Sequence, residues 1–188
     1  VKGMKAILEY DGASADKDQS NESDSLPMFD MTRYGKNSKS LFTLDQKYDL
    51  EYTMKLNTEE KAGKQVFTIN GLTFPDTENL IVKKGNKVKV RFVNNSKEDD
   101  HPMHLHGHFF QVLSKDGKPL DGSAIVKDTL NIKPGEEYII AFEADNPGNW
   151  MFHCHDLHHA SGGMMTHLLY SDYTTDFVPD PNAGNIPE

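Results

Sequence analysis

The sequence holds a single cysteine, Cys154, in 188 residues, so no disulfide can form within the chain and the usual staple of small secreted domains is absent. Long hydrophobic runs are missing too. The longest apolar stretches, such as residues 138–142, fall far short of the ~20 residues a bilayer-crossing helix requires. Positive charge is scarce: 20 Lys+Arg against 29 Asp+Glu leave a net charge of −9. That balance argues against a nucleic-acid groove, because phosphate contacts need concentrated positive charge. An acidic chain favours cationic or neutral partners. Residues 1–10 lack the basic, apolar and small-residue succession of a secretory signal, and no long helical periodicity or internal repeat is visible.

What is present is a series of short strands. Residues 48–56 alternate strictly, with Tyr48, Leu50, Tyr52, Met54 and Leu56 on one face, the pattern of a half-buried strand. Further strands are expected at 65–69, 80–82, 87–93, 108–113, 138–143, 148–153 and 165–170, separated by turn sequences such as KKGN, SKDGKP, KPGE and DNPG. Many short strands with this punctuation predict an all-β, two-sheet sandwich. The expected organisation is a lone strand over 1–10, read as the closing strand of a preceding domain; a polar linker over 11–45; the sandwich over 46–175; and a proline-rich tail over 176–188.

Histidine is concentrated rather than scattered. Eight of the nine histidines lie in two clusters, at 101–108 and 153–159. In His153-Cys154-His155, which continues the strand pattern NWMF, side chains alternate across the backbone, so two imidazoles project to one side and the thiolate to the other. One tripeptide can therefore serve two metal sites. His159 and Met164 follow at five and ten residues after the cysteine, with the flexible SGG between them. Thiolate, imidazole and thioether form the donor set of a blue-copper site, which also needs a second imidazole. His101 can supply it. His104 and His106 face one way, while Pro102 is expected to break regular alternation and let His101 point elsewhere. The spacing divides the donors into His101, Cys154, His159 and Met164 on one side, and His104, His106, His153 and His155 on the other. On donor type alone, the all-imidazole group suits copper or zinc equally.

The motifs HPMHLHGH and HCHDLHHASGGM resemble the two C-terminal copper motifs of the multicopper oxidases, the group containing laccases, bacterial copper oxidases and spore-coat laccases. The resemblance extends over residues 65–170 as the last cupredoxin domain, with 1–10 resembling the end of the preceding one. It implies a cupredoxin-like Greek-key sandwich and copper as cofactor. His101, Cys154, His159 and Met164 would bind the type 1 copper, His104 the type 2 copper, and His106, His153 and His155 the type 3 pair. A reducing substrate such as a phenol, aromatic amine or metal ion would deliver electrons singly, and dioxygen would be reduced to water. Cys154, flanked by His153 and His155, would link the two sites.

The resemblance also implies something missing. In the family the three-copper cluster uses eight histidines, and this chain matches only four of them. The remainder would come from N-terminal cupredoxin domains of the same protein or from a companion chain. Some relatives place a carboxylate directly after the ligand histidine, where this chain has Ala160; Asp156 is the substitute candidate for proton donation, against a reading as a loop cap. His108 is expected to pack beside the site, His158 to face solvent and His167 to be an ordinary strand residue. Asp99 and Asp100, just before His101, could attract a cationic or proton-releasing donor, or simply form a solvated turn. Relatives imply an extracellular, cell-surface or spore-surface location. A stand-alone electron-transfer cupredoxin with only the type 1 site filled is the alternative, and the flanking histidines count against it.

Overall fold

Strict alternation of apolar and polar residues fixes which face of each strand is buried, and the strands of this chain stack those faces into one interior. The computed structural model describes residues 11–12, 30–36 and 38–176. The chain divides into two units, Val1–Asp30 and Met31–Glu188, and every described strand belongs to the second. The strand expected over 1–10, residues 13–29 and 37 of the expected linker and residues 177–188 of the expected tail lie outside the described residues.

Twelve strands are described: β1 (Leu50–Lys61), β2 (Lys64–Ile69), β3 (Leu80–Val82), β4 (Lys87–Asn94), β5 (His101–Leu105), β6 (Phe110–Lys115), β7 (Lys118–Pro119), β8 (Ile125–Lys127), β9 (Thr129–Ile132), β10 (Glu137–Glu143), β11 (Asn149–Cys154) and β12 (Met165–Tyr170). A five-residue helix, α1 (Leu157–Ser161), follows β11. The first sheet runs β2-β1-β4-β10-β6-β7 with β8 also paired to β6; the second runs β3-β12-β11-β5-β9. The chain crosses between sheets from β2 to β3, β3 to β4, β4 to β5, β5 to β6, β8 to β9, β9 to β10 and β10 to β11. This is the all-β, two-sheet architecture expected from the sequence.

The interior is apolar and crosses from sheet to sheet. Phe92 of β4 meets Phe152 of β11 edge to face at 5.7 Å, and both are fully buried, as are Val90, Ile140, Phe142, Met103 and Leu105. Each such side chain contributes ~1.5–3 kcal/mol relative to exposure. Cys154 belongs to this same buried cluster, so the sulfur lies inside the sandwich.

β5 was not among the strands expected from sequence, and its behaviour differs from the expectation placed on Pro102. The strand pairs continuously with β9, from His101 opposite Ile132 to His104 opposite Thr129. Its burial alternates, with His101, Met103 and Leu105 buried and Pro102 and His104 less so. A proline removes one donor but leaves the two-residue period intact. His101 and His104 therefore point to opposite faces because they are three residues apart, and no break at Pro102 is involved.

Residues 38–48 lie against the outer face of the first sheet, where Phe42 and Tyr48 are buried with Leu113 and Ala141. Gln111 of β6 clamps this segment. Its Oε1 accepts the Leu41 and Phe42 amides at 2.9 and 3.1 Å, and its Nε2 donates to Ser40 Oγ and the Phe42 carbonyl, each at 3.2 Å. Replacing Gln111 with alanine is expected to strip the two amides of their acceptor and lower stability by about 1–3 kcal/mol. Hydrogen exchange should speed up at Leu41 and Phe42 first. Unchanged protection at both would show that the clamp does not hold the segment.

Candidate metal centre

The site is built on two adjacent strands of the second sheet. β11 pairs antiparallel with β5, setting His153 opposite His104 and Cys154 opposite Met103. Even-numbered residues of β11 enter the core and odd-numbered ones face outward, so Phe152 and Cys154 are interior while His153 shares the outer face with His104. His106 continues that face beyond the end of β5, with its amide bonded to the Met151 carbonyl at 3.0 Å.

On the inner side, His101, Cys154 and His159 are all buried, and their donor atoms lie within 4.8 Å of one another; among the described residues they form the one such group of three. His101 Nδ1 is 3.2 Å from His159 Nδ1, and Cys154 Sγ is 3.9 and 3.6 Å from these two nitrogens. His159 reaches the group from α1, not from a strand. Asp156 caps that helix, its Oδ1 accepting the amides of His158 and His159 at 2.9 and 3.4 Å, and the His159 ring stacks on Phe67 of β2 at 4.1 Å. Gly162 lets that contact form, because a Cβ there would meet the Phe67 ring at 2.5 Å. Met164 is fully buried beside the cysteine, its carbonyl accepting the Cys154 amide and its own amide bonded to the His159 carbonyl, both at 3.0 Å.

On the outer side, four imidazoles gather without converging on one point. His104 and His106 have ring centroids 4.7 Å apart, His106 and His153 5.1 Å, and His104 and His155 5.5 Å. The one short donor contact is His106 Nε2 to His153 Nε2, at 2.9 Å. The arrangement is one close pair with two neighbours.

Hydrogen bonds to the far nitrogens decide which atom each ring presents. His104 Nδ1 donates to the Asp128 carbonyl at 3.1 Å with Thr129 Oγ1 at 2.8 Å, and His153 Nδ1 donates to the Cys154 carbonyl at 2.8 Å. Both rings therefore offer Nε2, the arrangement by which outer groups orient metal-binding imidazoles. His108 is buried; its Nδ1 donates to the His106 carbonyl at 3.1 Å and its Nε2 accepts from Tyr170 Oη at 2.6 Å, which places it as a brace beside the cluster. Gly107 completes the turn with φ +70°, and a Cβ there would strike the Trp150 ring at 2.6 Å, so only glycine fits. His158 is exposed, and His167 packs edge to face on Phe74 at 5.4 Å.

Asp128, Thr129, Tyr170 and Ser96, whose hydroxyl reaches His101, were not singled out from the sequence. Each is remote in sequence or sits in a turn, and only the pairing of strands brings it to its imidazole.

Burial governs the charge state. It pushes His101 down to about 4, with the neighbouring His159 adding to the effect, and lowers His106, His153 and His159. It raises the Cys154 thiol to about 12. The donors therefore wait as neutral imidazoles and a protonated thiol, and a cation that binds them must displace the thiol proton. A buried thiol ringed by imidazoles fits a soft or borderline transition metal such as copper or zinc and does not fit calcium or magnesium.

Residues 37–173 match the sequence profile of a family described as multicopper oxidase. The chain is 39% identical over 108 residues to multicopper oxidase MmcO of Mycobacterium tuberculosis, an alignment covering 57% of this chain and 20% of that protein. Among solved structures it resembles multicopper oxidase mgLAC, with a TM-score of 0.61, 38% identity, and 67% of this chain and 45% of that one covered. It also resembles the blue copper oxidase of Nitrosomonas europaea, with a TM-score of 0.57, 36% identity, and 64% and 43% covered. The chain spans about a fifth of the length of the curated relatives it matches.

Metal-free protein should lose stability in acid through His101. Its folded pKa lies below the ordinary value of about 6.5, so between about 6.5 and 4 the unfolded chain binds more protons. Stability present above pH 6.5 is then lost as pH falls through that window, by about 3 kcal/mol from this residue. Denaturant titrations across pH would show the loss; His101→Gln should flatten it, and an equally steep profile in that variant would assign it elsewhere.

Proposed function

The chain belongs to the multicopper oxidases, and on that premise we propose that it is the C-terminal cupredoxin-like domain of a laccase-like enzyme, with residues 46–175 as the domain body. The observation that carries this reading is the three-donor group His101, Cys154 and His159 inside the sandwich, with four imidazoles directly across β11 from the sulfur. Copper, when bound, supplies one-electron redox chemistry at the thiolate site and a multinuclear centre for reducing dioxygen to water. His101 Nδ1, His159 Nδ1, Cys154 Sγ and Met164 would hold the type 1 ion. His106 with His153, and separately His155, would serve the type 3 pair, and His104 the type 2 ion.

The protein's own part is to keep the two sides fixed and joined. Cys154 is bonded through its peptide neighbours to both outer imidazoles, and His153 Nδ1 adds a hydrogen bond to the Cys154 carbonyl at 2.8 Å. The link between the sides is thus only a few bonds long. Four electrons taken one at a time from a phenol, aromatic amine or metal ion, with four protons, would balance the conversion of dioxygen to two waters. Asp156 is the proton-donor candidate in this chain; it also caps α1. Asp156→Asn retains a capping side chain and so separates the two roles. Asp99 and Asp100 lie on the approach to His101, Asp100 accepting from Asn131 at 2.7 Å, and would favour cationic donors. The remaining cluster histidines would come from another domain or chain, and the reading includes an extracytoplasmic setting. Among the described residues no helix is long and apolar enough to cross a membrane. A stand-alone electron carrier gives the outer imidazoles no role.

Copper content per chain, the absorption spectrum and oxygen uptake with and without an upstream domain test the reading. A blue chain that is inert alone and active with its complement is expected. Strong oxygen uptake by homogeneous chain alone, or a copper-loaded chain without blue colour, would overturn it. Met164→Leu is expected to raise the type 1 potential, because a thioether stabilises cupric ion more than a hydrocarbon does; an unmoved potential would refute Met164 as the axial ligand.

A further inference from the structure

We infer that Ser96 is a positioning residue that fixes which nitrogen His101 offers to the metal and thereby sets the balance between cupric and cuprous states at the thiolate site. The inference rests on the reading of that site as a copper site and extends it to a side chain outside the ligand set.

Ser96 lies in the turn between β4 and β5, is 5% exposed, and its Oγ is 2.7 Å from Nε2 of the fully buried His101. The turn is held from below by Asn94, itself 1% exposed. Asn94 Oδ1 accepts the Ser96 amide at 2.8 Å, while its Nδ2 donates to the carbonyls of Asp99 and Ile132 at 2.9 and 2.8 Å. One buried amide thus ties the turn to the strand β9 that flanks β5, and leaves the serine hydroxyl aimed at the ring.

A hydroxyl has one hydrogen and two lone pairs. The Thr58 amide donates to Ser96 Oγ at 3.0 Å and takes one lone pair; Thr58 Oγ1, at 3.3 Å, and His101 Nε2 are the remaining partners. When Nδ1 is bare, Nε2–H donates to the second lone pair and the serine hydrogen goes to Thr58 Oγ1, so every polar atom is satisfied. The opposite assignment puts a hydrogen on Nδ1, 3.2 Å from His159 Nδ1 and 3.9 Å from Cys154 Sγ, in the space a cation must occupy. Metal binding and the acceptor role of Ser96 are therefore coupled. An N–H that donates to oxygen makes its imidazole a stronger base and a better ligand, and a stronger nitrogen donor favours the cupric over the cuprous ion. Among the described residues His159 has no equivalent bond, its Nε2 standing 4.0 Å from Asp156 Oδ2.

Copper-loaded chain carrying Ser96→Ala is expected to bind cupric ion roughly 10–100-fold more weakly, to bind cuprous ion with little change, and so to show a raised midpoint potential. Ser96→Thr, which keeps the hydroxyl, should restore the potential. Equal loss of both affinities with an unmoved potential would reduce Ser96 to a packing residue and overturn the inference. A second measurement does not depend on copper or on the variant folding. In wild-type chain loaded with zinc, nitrogen-15 NMR of the imidazoles should show the His101 Nε2–H protected from solvent exchange. A freely exchanging Nε2–H would overturn the inference. Absence of blue colour in the wild type would instead remove the copper reading, while leaving the zinc measurement to decide the role of Ser96.

Discussion

The two-sided layout of the candidate metal centre depends on the two-residue period of β11. A strand sends consecutive side chains to opposite faces, and β11 is held in that geometry by ladders to β12 on one side and β5 on the other. Cys154 therefore cannot share a pocket with His153, and His155, one residue past the end of β11, lies on the His153 side with its ring 5.9 Å from that one; the cysteine is one peptide unit from each. Apolar packing enforces the same choice: Phe152 and Cys154 belong to the interior, and a one-residue slip would push both onto the outer face and bring the imidazoles into the core.

Around that strand the protein arranges donors in their neutral forms and braces them from behind. Burial, with His159 adding to it at His101 and the charge of Asp156 at Cys154, keeps both groups uncharged, which would be a poor state for holding an ion were the positions not fixed in advance. They are fixed by ordinary backbone and hydroxyl groups: the Asp128 and Cys154 carbonyls, Ser96, Thr129 and the His108–Tyr170 pair. The scaffold thus meets the ordering cost before an ion arrives, and the charge of the ion, when present, compensates the buried thiolate.

Much of this was legible in the sequence because it depends on local spacing. The pattern His-Cys-His gives opposite faces from parity alone, and strands such as residues 80–82 and 165–170 fall where alternation and turn residues place them. The closeness of Cys154 and His159 follows from a spacing of five residues, and His101 joins them from β5. Other features were hidden because they depend on pairing between distant segments. β5 reads as a histidine motif interrupted by proline, and only its ladder to β9 shows that the period runs through Pro102. Residues 38–45 read as linker because they are polar and short of alternation, whereas Gln111, some seventy residues away, supplies their acceptors. Ser96 and Thr129 are ordinary hydroxyl residues until the fold sets them against an imidazole.

Whether the sulfur and its two histidine neighbours serve metals on opposite sides of one strand is tested most directly by anomalous diffraction at the copper edge, from crystals of the copper-loaded chain with its complementary domain. One peak is expected inside the sandwich among Cys154, His101 and His159, with further peaks on the outer face beside His106, His153 and His155. A single ion bound by Cys154 together with His153 or His155, or a Cys154 with no ion near it, would contradict the two-sided arrangement.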